Sequence, residues 1–312
     1  MRVRSRLSIT LAVLAAVALL AAPAMAGKGE ADPAAISQGG QDASGGPDMF
    51  GYTFFDQDEP ECTFSFIDIS GTGTPLSYTA SGTFPAEDDG GATVTLAEPF
   101  SFYGTSVTDV VVSSNGYIAM NTTGGLADDS GGDFSEDCPL PAAPDNAPSI
   151  PFRLMPYHND LAGDGTGGTT FVEYFAACPR VSEAGDESCT IVHWNNWGFF
   201  GVTGSFDLQA VLYHASGLIV YQVSDPAGLA DGSSTAVAIQ NDAATDSLVY
   251  SCDAAGAVAD GTAVCIYNPA CPTPDCLEPF NPIEVPTQGT LGLVLLGLLL
   301  AAGGVWLVRR SA

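Results

Sequence analysis

The chain has 312 residues, with 36 acidic against 8 basic side chains and a formal net charge of −28 at pH 7. Five of the basic residues, Arg2, Arg4, Arg6, Arg309 and Arg310, sit at the two ends, which leaves Lys28, Arg153 and Arg180 to face every acid between. That balance excludes nucleic acid as a partner, because almost nothing can replace the counterions of phosphates, and it disfavours an anionic membrane surface.

At the N-terminus the three arginines precede an apolar run from Leu7 to Ala22, Pro23 breaks the run, and Ala24-Met25-Ala26 follows. A basic start, an apolar stretch and a small-x-small site predict a secretory signal peptide over 1–26, cut between Ala26 and Gly27. An uncleaved anchor is the alternative. Residues 27–48 are rich in Gly, Ala, Ser and Asp, and read as a flexible linker.

From about Met49 short runs of Val, Ile, Thr, Phe and Tyr alternate with Gly, Asp, Asn and Ser clusters. The predicted strands are Cys62–Ile69, Ala92–Leu96, Val107–Val112, Tyr117–Met120, Thr170–Phe175, Thr190–Trp194, Phe206–Tyr213, Ile219–Val223, Thr235–Gln240 and Leu248–Cys252. No stretch between the two ends keeps a helical period over three turns. The fold class expected is all-β, a single antiparallel β-sandwich with long loops over 49–270. Phe206–Tyr213 alternates apolar with polar residues, as a half-exposed strand does. Asn115-Gly116, between two apolar runs, predicts a type I′ hairpin, and His214-Ala215-Ser216-Gly217 predicts another.

Eight cysteines, an even number in an oxidising compartment, predict disulfides. Nearness in sequence favours Cys178–Cys189, Cys252–Cys265 and Cys271–Cys276, with Cys62–Cys138 left as a long-range bridge. No Cys-x-x-Cys pair supports a metal centre instead.

The C-terminus has a Pro-rich, Cys-containing segment (271–290), an apolar run from Leu291 to Val308, and a basic end at 309–312. At 1.5 Å per residue the run would span about 27 Å as a helix, close to a bilayer core. A transmembrane helix over 291–308, with Arg309 and Arg310 on the cytoplasmic side, is expected. Val285-Pro286-Thr287 before the helix and the basic end after it make the last 28 or so residues resemble bacterial C-terminal protein-sorting domains of the IPTL-CTERM type. Gln288 stands where those domains usually have Leu. The resemblance implies recognition by a membrane-embedded sorting protease and a tail that is cleaved. A plain tail anchor is the other reading.

A second resemblance rests on motifs in fixed order. Phe100-Ser101-Phe102-Tyr103-Gly104-Thr105 is followed by Val111-Val112-Ser113-Ser114-Asn115-Gly116-Tyr117, Ile150-Pro151-Phe152 with Asn159-Asp160-Leu161, Val192-His193-Trp194-Asn195-Asn196, Gln209–Tyr213 and Ala238–Asn241. Over about residues 95–250 this resembles secreted bacterial β-sandwich proteins related in style to the nidogen-like extracellular domain. The resemblance implies a non-enzymatic surface or matrix protein. Tyr157-His158-Asn159 replaces the usual Trp-Asp before the Asp-Leu.

Candidate chemistry is sparse. Asp129-Ser130-Gly131-Gly132-Asp133 is superficially like a chymotrypsin-type serine motif, but no histidine precedes it as that fold requires, so it reads as a solvated acidic loop. His158, His193 and His214 are scattered, without zinc-helix spacing, and read as structural. Calcium is the one cofactor the sequence admits. Asp160 and Asp164 on the Gly-rich loop 159–165 offer hard oxygen ligands, and Asp56-Gln57-Asp58-Glu59 is a second acidic cluster. Trp197, Phe199 and Phe200 are expected on a loop after a strand ending near Trp194, where they either close the core or bind a surface glycan or protein. The function expected is non-catalytic adhesion, matrix contact or envelope structure. The alternatives are a carbohydrate- or calcium-binding module and an extracellular hydrolase.

Overall fold

The computed structural model describes residues 44–146, 148–180 and 186–269. In chain order the strands are β1 (Ser44–Gly45), β2 (Thr53–Asp56), β3 (Thr74–Pro75), β4 (Thr79–Ala80), β5 (Gly90–Phe102), β6 (Thr105–Ser113), β7 (Ile118–Met120) and β8 (Arg153–His158), then β9 (Leu161–Ala162), β10 (Thr169–Phe175), β11 (Cys189–Phe199), β12 (Phe206–Tyr213), β13 (Ile219–Ser224), β14 (Ala236–Gln240), β15 (Ser247–Cys252) and β16 (Thr262–Tyr267). Among the described residues there is no α-helix, only a 3-10 turn at Gly125–Ala127, and no helix long and apolar enough to cross a membrane. The expected signal peptide, sorting motif and transmembrane helix all lie outside the described residues.

Two antiparallel sheets form the predicted all-β architecture. One runs β1-β2-β16-β13-β12-β11-β10-β3, with β9 pairing off β11; the other runs β15-β14-β8-β7-β6-β5-β4. Sequential hairpins build the centre of each, which keeps pairing local. Between them lies the main core. Val110, Val112, Ile118, Leu154 and Ile239 from the second sheet pack with Val192, Trp194, Leu208, Leu212, Tyr221 and Val264 from the first. Two indoles reach across it: Trp194 Nε1 donates to the Ser113 carbonyl at 2.8 Å and Trp197 Nε1 to the Ser114 carbonyl at 2.7 Å.

Both outer faces are covered as well. On the first sheet Ile191, Val211, Val220 and Ala263 are buried under Cys62, Ile69 and their neighbours. On the second, Val111, Ala119, Met155 and Ala238 are buried under Leu140 and the long 121–150 loop. This corrects the expectation for Phe206–Tyr213, which is a strand but not a half-exposed one: all its residues except Asp207 are buried. Its polar Gln209 is fully buried because it has backbone to bind.

That backbone belongs to 62–69, predicted as a strand and observed as irregular chain. Gln209 accepts from the Ile67 N–H at 3.3 Å and donates to the Ile67 carbonyl at 2.7 Å. Gln222 does the same for Ser65, at 2.6 and 3.1 Å. Two side-chain amides thus stand in for a neighbouring strand and satisfy groups that would be costly to bury unpaired.

β8 went unpredicted because Pro156 interrupts it, and proline removes a ladder donor. The ladder with β14 shifts register there, pairing Ala236 with His158 but Ala238 with Met155, so the proline sits in a bulge. The predicted linker end at 48 also moves. β1 pairs with β2, and Asp48 Oδ1 accepts from the N–H groups of Gly51 and Tyr52 at 2.7 and 2.8 Å.

Turn chemistry differs from expectation at one site and agrees at another. Only Gly116 of Asn115-Gly116 has positive φ (72°), and the Ser113 N–H bonds to the Tyr117 carbonyl, so a three-residue loop replaces the expected type I′ turn. The two-residue turn with positive φ at both positions is Tyr103-Gly104, between β5 and β6. Residues 214–217 form the predicted hairpin, joining β12 to β13.

Cys178–Cys189 forms as expected and staples β10 to β11. The other two predicted bridges within the described residues are exchanged: Cys62 pairs with Cys265 and Cys138 with Cys252. β16 lies beside β2 in the sheet, which brings Cys265 to the segment that follows β2. The 121–150 loop carries Cys138 over the outer face to the end of β15. Cys271 and Cys276 lie outside the described residues.

Candidate functional site

Carboxylates from two loops gather around the turn 113–116. Asp88 and Asp89 immediately precede β5, and Asp160 lies between β8 and β9. One carboxylate oxygen from each falls within 4.8 Å of the other two. The turn fixes both loops. Asn115 Nδ2 donates to Asp89 Oδ1 at 3.1 Å, Asn115 Oδ1 accepts from the Leu161 N–H at 2.9 Å, and Ser114 Oγ donates to the Asp88 carbonyl. The Gly163 N–H adds a bond to the Glu87 carbonyl at 2.8 Å. Gly163 is needed there because a Cβ would fall about 2.5 Å from the Trp197 ring.

The predicted pair Asp160 and Asp164 is therefore divided. Asp160 joins the cluster, whereas Asp164 is exposed on the following turn and stays outside the group. Asp88 and Asp89 were missed in the sequence; the signal that could have found them is an acid pair directly before Gly90-Gly91. Burial, with the charges of Asp89, Asp160 and Asp164, pushes the Asp88 carboxyl up to about 6. Burial also raises Asp89 and Asp160. The second predicted cluster does different work: Asp56 is buried, accepting from the Asp58 N–H at 3.0 Å and from the Tyr250 hydroxyl at 3.3 Å.

Beside Asp160 the aromatic stretch is arranged differently from the predicted loop. β11 runs on through Phe199, with a bulge between Trp194 and Trp197. Trp197 is fully buried against Tyr78, so it is a core residue and not a displayed one. Phe199 is partly buried against Tyr157 and Phe206. Phe200 alone of the three is displayed, 50% exposed, with its N–H held by the Asp160 carbonyl at 3.0 Å. It meets Phe84 edge-on at 6.3 Å, and Phe84 and Val202 are as open as Phe200.

The segment 129–133 corrects a further expectation. Asp129 and Asp133 are fully buried and enclose Arg153, which bonds Asp133 at 2.6 Å and Asp129 at 3.4 Å. The guanidinium also lies 4.1 Å from the Tyr117 ring centroid, and the Tyr117 hydroxyl donates to Asp129 at 2.8 Å. Ser130 Oγ is bonded to Ser81 Oγ. Arg180 is buried too, donating to the Thr63 carbonyl at 2.6 Å and to the Tyr213 hydroxyl at 3.3 Å.

The histidines occupy separate places. His158 is fully buried with Nε2 on the Asp133 carbonyl at 3.0 Å, and burial followed by the Arg153 charge holds it down to about 4. His193 lies 3.9 Å from both Asp68 and Asp207. His214 pairs through Nε2 with Thr190 Oγ1 at 2.9 Å. Its Nδ1 faces the Pro99 carbonyl, where a hydrolytic triad would need a carboxylate. A groove of about 380 Å³ lies elsewhere, lined by Met49, Phe50, Tyr103, Phe152 and Asp242, among others, with no histidine in its wall.

A family model described as NIDO related matches residues 63–271. The chain belongs to the NIDO-related family. The match takes in the acidic cluster, the Phe84–Phe200 pair and the buried Arg153, and it leaves β1 and β2 outside. No curated protein and no solved structure matches the chain. A NIDO-related domain carrying disulfides suggests an extracellular protein.

Proposed function

We propose that this NIDO-related chain is an exported, non-catalytic contact protein of the cell surface or extracellular matrix. Adhesion or envelope structure is its task, and the end of the sandwich bearing Phe84 and Phe200 is its contact surface. The observation that carries this reading is that aromatic pair. Large aromatic side chains left half-open beside carboxylates offer a stacking face and hydrogen-bond acceptors together, the combination that recognises a glycan or anchors a protein partner. Delivery rests on the sequence: a signal peptide ending at Ala26, and a tail in which Val285-Pro286-Thr287 precedes an apolar run and Arg309-Arg310. In this reading a membrane-embedded sorting protease is the first partner and the membrane anchor is transient.

The test compares the full chain with a Phe84→Ser/Phe200→Ser variant on arrays of surface polysaccharides and matrix proteins. Both side chains are half-exposed, so the variant should keep its melting temperature within about 2 °C. Its binding should fall by about tenfold or more, the effect of removing a central aromatic anchor. Unchanged binding would remove this end as the contact surface. Intact-mass analysis of fractionated cells checks delivery, with cleavage expected after Ala26 and near Thr287.

A further inference from the structure

We propose that Asp88, Asp89 and Asp160 together bind one calcium ion. The inference goes beyond the contact reading and stands whatever the aromatic pair recognises.

Geometry comes first. Oxygens bound to one calcium at 2.3–2.6 Å can lie no more than about 4.6–5.2 Å apart, and the three carboxylates offer oxygens within 4.8 Å of one another. Asp88 supplies the independent indication. It is only 2% exposed, and among the described residues no donor is bonded to its carboxylate, whose oxygens keep only the slight contact with solvent that the residue retains. A carboxylate so enclosed needs a donor or a cation to offset its lost hydration. Among the described residues no basic side chain is left for it, because Arg153 is committed to Asp129 and Asp133, and Arg180 to Thr63 and Tyr213.

The ligands are also held ready. Asn115 fixes the Asp89 carboxylate with one end of its amide and the backbone after Asp160 with the other, so a single side chain sets the spacing of the two arms. The donor set chooses the ion. Three carboxylates without imidazole or thiolate select a hard cation, and a site shared by two loops suits the variable coordination of calcium better than the strict octahedron of magnesium.

The full chain, stripped with chelator, is melted against increasing Ca²⁺ or Mg²⁺. A dissociation constant on the order of 10⁻⁴–10⁻³ M is expected, as in extracellular modules. The melting temperature should rise about 4 °C at about ten times that concentration. Asp88→Asn and Asp160→Asn should each remove most of the rise, whereas the control Asp242→Asn, an exposed acid elsewhere, should keep it. If Asp88→Asn does not fold, the partly exposed Asp160 carries the comparison. No rise in the parent, or a full rise in the Asp88 and Asp160 variants, overturns the site. A magnesium response equal to that of calcium overturns the choice of ion.

Discussion

Asp129 and Asp133 close on a guanidinium, whereas Asp88, Asp89 and Asp160 close on one another. The first group hangs from the loop between β7 and β8, the second from the loops before β5 and after β8, and both include carboxylates almost wholly removed from water. The first group has its cation built in. Arg153 is held by Asp129 and Asp133, with Asp137 farther off at 3.8 Å, and by a tyrosine face, and it fixes the 129–133 loop against the sheet. The second has bond donors for Asp89 only, and burial with mutual repulsion shows in the raised carboxyl of Asp88. In a chain this poor in bases, one buried acidic group takes its counter-charge from the sequence and the other is left to take it from solution.

The comparison breaks most readily at Arg153. Arg153→Met leaves Asp129 and Asp133 buried and unpaired, a loss of about 3–5 kcal/mol, read by urea unfolding or as failure to accumulate. A loss below about 1 kcal/mol would mean that this group, too, can draw a cation from solution.

His158 tests how firmly the internal cation is held. Its folded pKa lies near 4, below the ordinary value of about 6.5, so between those values the unfolded chain binds a proton that the native chain does not. Stability from this group is complete above pH 6.5 and is lost as the pH falls towards 4. Relative to His158→Gln, the parent should lose on the order of 2–3 kcal/mol across that window. Parallel stability curves would show that His158 charges freely within the fold.

The smallest effect carries opposite signs. Without calcium, Asp133→Asn should cost about 1–2 kcal/mol by weakening the hold on Arg153, and Asp88→Asn should stabilise by about 1 kcal/mol by relieving repulsion. Equal signs in thermal or urea unfolding would erase the distinction between the two groups.

The strand pattern was largely legible because β-branched and aromatic runs bounded by Gly, Asp and Asn report local preference. The hidden parts depend on what a segment meets after folding. Cys62–Ile69 alternates as a strand does, but the sheet it meets offers the side chains of Gln209 and Gln222 rather than an open edge. Pairing cysteines by sequence distance finds Cys178–Cys189, which staples one hairpin, and fails for Cys265, because sheet order puts β16 beside β2. At the candidate site Asp160 was legible from its glycine-rich loop. Asp88 and Asp89 arrive from about seventy residues away, brought there by the Asn115 turn and by the Gly163 N–H on the Glu87 carbonyl.

The burial of Arg153 and Arg180 has one more consequence. They are the only lysine or arginine residues between 44 and 269, and each is 1% exposed. A trypsin-class protease needs a basic side chain in its specificity pocket, and the folded domain presents it with none. An amine-reactive crosslinker likewise finds no lysine across these residues. For a protein working outside the cell, the acidic surface is thus also a form of durability: the domain becomes digestible by that class of enzyme only where it first opens.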